Sequence, residues 1–561
     1  MNMQADLRNF LPAASERPPL LAVKGLNVTF STPQGRVDAV RDLSLQIAPG
    51  EILALVGESG SGKSVTARAI VGLAGPRSMI RAETMELTAH EGRPLNLLGL
   101  SEKAWRHVRG REIGFILQDA LVSLDPLRAI GREISEPILT HRLVPRSLVS
   151  QHVVELLERV GIPEPQSRIG QYAHQLSGGL RQRALIASAL AGQPRLLIAD
   201  EPTTALDVSV QKRVLAIFKE LAAAGHGILL ITHDLSVAAQ LADRVAVMKK
   251  GRLVETGPAR SILSNPRHDY TRQLLAAVPT VANRGRKLSA PDVALPPRVA
   301  IASGERLLDI SNVSISFRRT DGGLLRAVSN VSLHVDSGET LGIVGESGSG
   351  KTTLGKIALA LQRPDEGTVS FEGRPWSALS ERQRRPLRAG MQTITQDPLS
   401  SFNPRFTVER IIEQPLLLRG GLDRSQRRER IIGLMDLVGL PQDLLSRRPT
   451  ALSGGQRQRV SIAQALAATP KLLICDEPVS ALDVTTQAQV LDLLVDLQAR
   501  FGLSMIFISH DLGVIQHISH RIVVMKQGAI VEAGSVEEVF ERPRHAYTRE
   551  LIASVPRFGD A

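Results

Sequence analysis

The 561-residue chain contains a single cysteine, Cys475. One thiol cannot build an internal disulfide framework. Nor can it supply the cysteine-rich sets that hold structural zinc or iron–sulfur clusters. No window reaches 18 consecutive uncharged apolar residues, so no transmembrane helix is expected. The start, MNMQADLRNFLPAASERPPL, lacks a basic segment followed by an apolar core, which argues against a secretory signal. Charge of one sign is not strongly dominant either. The 68 Lys and Arg against 56 Asp and Glu leave +12. That balance permits contact with nucleic acid or an anionic membrane, and a solvated surface accounts for it equally well. With 43% apolar and 22% charged residues the composition is globular, not disordered. The expectation is a soluble or peripheral cytoplasmic protein of three or four units, at about 150 residues each.

What is present is a repeat. GESGSGK stands at Gly57–Lys63 and at Gly345–Lys351, 288 residues apart. LSGG recurs at Leu176–Gly179 and Leu452–Gly455, and Asp200 of ADEP pairs with Asp476 of CDEP, both offset by 276. His233 of THDL and His510 of SHDL are 277 apart. The tails match as well, PRHDYTRQLLAAVP at Pro266–Pro279 against PRHAYTRELIASVP at Pro543–Pro556. The chain is two copies of one unit, the first about ten residues longer between GESGSGK and the glutamine motif below. The expected division is an N-terminal extension (1–19), a first domain with its tail (20–279), a linker (280–305) and a second domain with its tail (306–561). The linker carries Pro291, Pro296 and Pro297 and no helical apolar period. As a flexible segment it would span on the order of 30 Å.

Within each copy, short apolar runs alternate with helical patterns. Ile52–Gly57, Leu196–Asp200 and Gly227–Thr232 are nearly continuous apolar runs, as strands buried on both faces of a parallel sheet require. Ser147–Gly161 has the helical period. The class is α/β, a phosphate-binding core with a helical insert in each copy.

G-x-x-x-x-G-K followed by Ser or Thr is a phosphate-cradling loop. Here it is Gly57, Glu58, Ser59, Gly60, Ser61, Gly62, Lys63 and Ser64 after the strand ILALV. The second is Gly345, Glu346, Ser347, Gly348, Ser349, Gly350, Lys351 and Thr352 after LGIV. Glycines let backbone N–H groups converge on phosphate oxygens, and the helix that follows adds its positive dipole end. Lys63 and Lys351 would neutralise the β- and γ-phosphates, and Ser64 and Thr352 would offer hydroxyls to magnesium. A glycine-rich turn is the bland alternative, and its occurrence twice in strand–loop–helix context weighs against it.

LLIADEP and LLICDEP each end a buried strand in two acids. Asp200 and Asp476 can hold magnesium, through water. Glu201 and Glu477, one residue on, can polarise a water at the γ-phosphate. A helix N-cap is the competing reading. His233 and His510 follow those glutamates by 32 and 33 residues, and the repeated spacing points to a γ-phosphate contact. Gln118 and Gln396 open QDALVSLDP and QDPLSSFNP. Ser-Gly-Gly before a helix (Ser177, Gly178, Gly179; Ser453, Gly454, Gly455) is a second anion-binding helix start, which suggests a surface offered to another copy's nucleotide.

Together with the ALD loops at Ala205–Asp207 and Ala481–Asp483, this set resembles the ATP-binding cassette (ABC) ATPases over nearly the whole chain. The resemblance implies two tandem P-loop domains. Each would have a RecA-like core, an antiparallel β subdomain and a helical subdomain, with ATP and Mg2+ as cofactors. It also implies a head-to-tail pairing of the halves. Lys63, Ser64, Gln118, Asp200, Glu201 and His233 would then face Ser453, Gly454 and Gly455. Lys351, Thr352, Gln396, Asp476, Glu477 and His510 would face Ser177, Gly178 and Gly179. In the family the glutamines also reach the metal, so Ser64, Gln118, Asp200, Thr352, Gln396 and Asp476 are the expected magnesium set.

GESGSGK, QDPLSSFNP and the PRH tails look like the peptide/nickel importer branch. That branch implies an ATPase on the cytoplasmic face of the inner membrane, two integral-membrane permeases docked near Gln118–Pro126 and Gln396–Pro404, and a periplasmic solute-binding protein. No nucleic-acid partner is expected. Leu180 replaces the usual glutamine of the signature, with a mild expected effect. The position that stacks on adenine falls near Gln34, and the nearest aromatics are Phe30 and Phe317. Cys475 reads as a core residue. The rival is a soluble tandem cassette acting on the ribosome, whose linker is typically long, charged and helical, unlike 280–305. A DNA-repair ATPase would need zinc-binding cysteines.

Overall fold

A computed structural model describes residues 18–32, 35–118, 123–203, 208–280, 283–297, 304–318 and 323–553. The N-terminal extension to residue 17, Gln34 and Ala205–Asp207 lie outside them. The chain divides into two compact units, the second spanning Ala276–Pro556.

The first unit contains β1 (Leu21–Thr32), β2 (Gly35–Ile47), β3 (Ile52–Val56), β4 (Ser78–Arg81), β5 (Thr84–Thr88), β6 (Pro94–Asn96), β7 (Ile113–Ile116), β8 (Leu196–Asp200), β9 (Gly227–Ile231), β10 (Arg244–Lys249) and β11 (Arg252–Pro258). Its core sheet has the order β11-β10-β3-β9-β8-β7. All neighbours from β10 to β7 run parallel, and β11 closes the edge as a hairpin. Every residue of β3, β8 and β9 is buried, which is why these strands show no polar alternation in sequence. An antiparallel sheet, β2-β1-β5-β6 with β4 also on β1, packs its apolar face with the helix Lys63–Ile70 into one cluster. The helices Ile130–Thr140, Val149–Arg159 and Gly178–Leu190 form the helical subdomain and share a second cluster with the other face of the core sheet.

The second unit repeats this with β12 (Arg306–Arg318), β13 (Leu324–Asp336), β14 (Thr340–Val344), β15 (Glu366–Phe371), β16 (Met391–Ile394), β17 (Leu472–Asp476), β18 (Ser504–Ser509), β19 (Arg521–Lys526) and β20 (Ala529–Ser535). Its core order, β16-β17-β18-β14-β19-β20, is the first unit's order read from the opposite edge. Among the described residues its antiparallel sheet has three strands, β13-β12-β15, against five in the first unit. The extra residues of the first copy are thus spent on β4 and β6. Even a proline inside the first long helix of each insert recurs, Pro137 and Pro415.

The stretch expected to be a flexible linker differs. Residues 283–297 belong to the second unit and are bonded to it. The Leu288 and Ser289 N–H groups donate to the two carboxylate oxygens of Asp492 (3.0 and 2.8 Å), and the Ser289 hydroxyl donates to Oδ2 at 2.6 Å. Lys287 pairs with Asp496 at 2.6 Å and Arg284 pairs with Glu537. Leu288 is fully buried among the second unit's core residues. The segment folds back on itself through Lys287 N–H to the Val293 carbonyl and Leu295 N–H to the Gly285 carbonyl, and side-chain acceptors on the helix Val484–Phe501 hold it to the second unit, so it needs no apolar period to be ordered.

Candidate nucleotide site

The sheet order explains why distant motifs meet. The loop Gly57–Gly62 leaves the carboxyl end of β3, His233 follows β9, and Asp200 and Glu201 end β8. In space β9 lies between β3 and β8, so the three carboxyl ends are neighbours. In parallel α/β sheets this edge is where ligands bind.

Two glycines of the first loop are there for space. Gly57 has φ +149° and a Cβ on it would overlap the Met248 carbonyl. Gly62 has φ +107°, caps the helix Lys63–Ile70, and would collide with the Ala39 carbonyl. The Lys63 ammonium folds back over its own loop, donating to the Gly57 and Glu58 carbonyls at 2.7 and 2.8 Å. Lys351 does the same to Gly345 and Glu346 at 2.6 and 2.8 Å, and burial pushes its pKa down. Ser61 and Ser349 bury hydroxyls that have no hydrogen-bond partner among the described residues. A buried orphan hydroxyl is costly unless something polar arrives.

The Ser64 hydroxyl donates to Asp200 Oδ1 at 2.9 Å, and Thr352 to Asp476 Oδ1 at 3.1 Å. Burial pushes both aspartates up from the usual carboxylate range, and the hydroxyls oppose this only in part. Asp200 is fully buried and its Oδ2 has no hydrogen-bond partner among the described residues. A hydroxyl beside a carboxylate with a spare oxygen is a donor set that suits a hard, oxygen-seeking cation.

Glu201 is gripped from two sides. His233 Nδ1 lies 3.0 Å from Oε1, and Gln118 Nε2 donates to Oε2 at 2.8 Å. In the second unit His510 Nδ1 is 3.3 Å from Glu477 Oε2, which also accepts from Gln396 at 3.2 Å, while Gln396 reaches Ser480 at 3.3 Å. Burial alone would raise both glutamates, but the histidine hydrogen bonds and charges outweigh it, and both end below the usual range. His233 is pushed down by burial and further up by Glu201, a net rise; for His510 the bond to Glu477 is the largest influence, and it too rises. Both glutamates also hold left-handed backbone, φ +50° and +48°, a conformation that costs a non-glycine residue about 1 kcal/mol or more. Their N–H groups are fixed to the Ile231 and Ile508 carbonyls at 2.9 and 3.0 Å, which keeps that backbone in place.

The signatures stand on another element, the first turn of a subdomain helix. Ser453 caps Gly454–Ala467 by accepting from the Gln456 N–H at 3.3 Å, and Gln456 Oε1 accepts from the Ser453 N–H at 3.0 Å. Ser177 accepts from the Leu180 N–H at 3.4 Å, and leucine returns nothing. The departure at Leu180 therefore removes half of a capping box and leaves serine and glycines where they were. Phe30 is half-buried on β1 and Phe317 is more exposed on β12. Cys475 is fully buried, with its thiol pushed up to about 12 by burial, in keeping with a core residue.

The structure adds residues that the motif reading left outside the site. The Glu58 N–H donates to the Tyr270 hydroxyl at 3.2 Å, and the Glu346 N–H to Tyr547 at 3.0 Å. These tyrosines belong to the repeated tails, so the signal was on the page, but nothing in sequence joins a residue at 270 to one at 58.

A family described as ABC transporter matches residues 40–204 and 328–480. Another, described as the oligopeptide/dipeptide transporter C-terminal region, matches 254–306 and 531–561. The glutathione import ATP-binding protein GsiA of Escherichia coli O6:H1 is 43% identical over 557 residues, covering 96% of this chain and 89% of its own. Its counterpart from Shigella sonnei matches with the same identity and coverage. Among solved structures, the ATP-binding cassette MJ0796 in a dimeric post-hydrolysis state with ADP and Pi is 28% identical over 41% of this chain and 98% of its own, with a TM-score of 0.38.

Proposed function

The chain belongs to the ABC transporter family, and on that premise we propose that it is the ATP-hydrolysing subunit of an importer for peptides or peptide-like solutes, glutathione among them. What carries this reading is that import ATP-binding proteins align with 96% of the chain while both halves retain the full cluster of lysine, hydroxyl–aspartate pair, glutamine, glutamate and histidine. The matches at 254–306 and 531–561 favour a peptide transporter, and nothing supports action on the ribosome.

In each half the lysine leaves its loop carbonyls for the β- and γ-phosphates, and the buried loop serine gains a partner. Ser64, Asp200 and Gln118, and Thr352, Asp476 and Gln396, would hold Mg2+, which when bound neutralises phosphate charge. Glu201 and Glu477, kept ionised by the histidines, accept a proton from the attacking water. His233 and His510 exchange the glutamate for the γ-phosphate, so the glutamate is released when a triphosphate is present. The signatures Ser177–Gly179 and Ser453–Gly455 offer a second anion-binding helix start in each half. The two cassettes are taken as 20–279 and 306–561, with 280–305 between them in sequence and its residues 283–297 docked on the second unit.

No helix among the described residues is long and apolar enough to cross a membrane. The likeness to import ATP-binding proteins and to the oligopeptide/dipeptide transporter region supports, as partners, two permeases in the inner membrane, met from its cytoplasmic face, with a solute-binding protein on the other side. Single cysteines at Ser123 and Ser401 test this, since native Cys475 is buried and unreactive. Crosslinks to integral-membrane subunits are expected, together with ATP-driven glutathione or dipeptide uptake by the reconstituted complex. Crosslinks to soluble proteins alone would make the transport reading wrong.

A further inference from the structure

The tails Pro266–Pro279 and Pro543–Pro556 match a transporter-specific family region, yet the catalytic scheme gives them no task. In both units the tail reaches the phosphate loop through a tyrosine. The Glu58 N–H that donates to Tyr270 and the Gly57 carbonyl that accepts from Lys63 belong to one peptide group. That group is planar and rigid, so fixing its N–H end fixes the direction of its carbonyl. The second unit repeats this, with the Gly345–Glu346 peptide held between Lys351 and Tyr547.

The tyrosines are themselves firmly held. Tyr270 and Tyr547 are buried at 2% and 3% exposure. Lys249 and Lys526, the last residues of β10 and β19, place their ammonium groups over the rings at 4.3 and 4.4 Å. The tyrosine N–H groups donate to His268 and His545 Nδ1 at 3.0 and 3.1 Å. Glu255 and Glu532 accept from two backbone N–H groups three and two residues upstream of each tyrosine, those of Arg267 and His268 and of Arg544 and His545. A hydroxyl fixed this thoroughly, twice over, onto the flank of the same peptide is a built support.

We propose that Tyr270 and Tyr547 are positioning residues that set the phosphate-loop peptide on which Lys63 and Lys351 rest. The tail thereby presents each lysine to ATP. This rests on the reading of Gly57–Ser64 and Gly345–Thr352 as phosphate loops. Removing the hydroxyl frees the peptide to rotate while the ring and its lysine contact remain.

The test is Tyr270→Phe with Tyr547→Phe in the full chain, reading ATP affinity, KM, kcat and Tm. KM and the dissociation constant for ATP should rise about three- to ten-fold, with kcat within about two-fold, because one hydrogen bond's worth of ground-state binding is lost. In a Lys63→Ala, Lys351→Ala background the same changes should have no further effect on ATP affinity, since the lysine is the group they act through. A lower Tm with unchanged KM, or an equal loss of affinity with and without the lysines, would overturn the proposal. If the double variant does not fold, each single variant gives the same readings with the other half intact. The lysine variants alone separate the two levels: if they bind ATP like the parent, it is the phosphate-loop reading that fails.

Discussion

Changing Glu201 and Glu477 to glutamine should stop turnover and spare binding. The substitution keeps length and shape and removes the charge that takes the water's proton. General-base assistance is worth about 10²- to 10⁴-fold, or roughly 3–5 kcal/mol of barrier at 1.36 kcal/mol per decade. The groups proposed to hold phosphate are anchored elsewhere, Lys63 on the Gly57 and Glu58 carbonyls and Ser64 on Asp200. ATP affinity should therefore stay within about three-fold of the parent, with ATP retained unhydrolysed. The variant also loses the Glu201–His233 pair, whose side chains are 13% and 24% exposed. Glutamine can still accept from Gln118 or face the imidazole, so the cost is about 1–2 kcal/mol per half, a few degrees in Tm for units of this size. The left-handed backbone is unchanged, because glutamine bears the same strain as glutamate. Steady-state hydrolysis at saturating ATP, equilibrium binding of labelled ATP and a melting curve decide it. Turnover within about three-fold of the parent would refute the base assignment. Loss of ATP binding with an unchanged Tm would move both glutamates from chemistry to binding.

Lys63→Ala and Lys351→Ala, made separately, should each cut hydrolysis by far more than half, on the proposal that turnover needs ATP bound in both halves; near-full activity in one variant would show a single working site. Asp492→Ala removes the acceptor of three hydrogen bonds from Leu288 and Ser289 and should cost about 2–4 kcal/mol locally, exposing 283–297 to limited proteolysis; cleavage at the parent's rate would refute the docking. The histidine pKa values lie above 6.5 and the glutamate values below 4.5, so the His–Glu pairs contribute fully between these limits. That contribution is lost as pH rises through the folded histidine values, or falls through the folded glutamate values. The Tm gap between the nucleotide-free parent and His233→Gln, His510→Gln should thus shrink from about pH 6 to about pH 9. A gap that widens would show that the imidazoles are held neutral.

The sequence by itself determined the duplication and the α/β class, and it supplied the residues proposed for each site. These features are local. A phosphate loop needs glycines at fixed spacing because backbone must approach phosphate, and a strand buried on both faces must read as an unbroken apolar run, as ILALV and LLIAD do. Two copies turned weak signals, such as a lone histidine after a strand, into strong ones. Only the tertiary structure decided what crosses long stretches of chain. Sheet order places β9 between β3 and β8 and so gives Glu201 its histidine. Asp492 lies in an apolar helix and has its partners 203 and 204 residues earlier, in a segment whose prolines read as a free linker. Tyr270 meets Glu58 across 212 residues. Neither contact leaves a periodicity, because each is made by one or two backbone N–H groups meeting the oxygens of a single distant side chain. Composition and spacing carry no record of which oxygen a given N–H will find; only the folded path of the chain settles that.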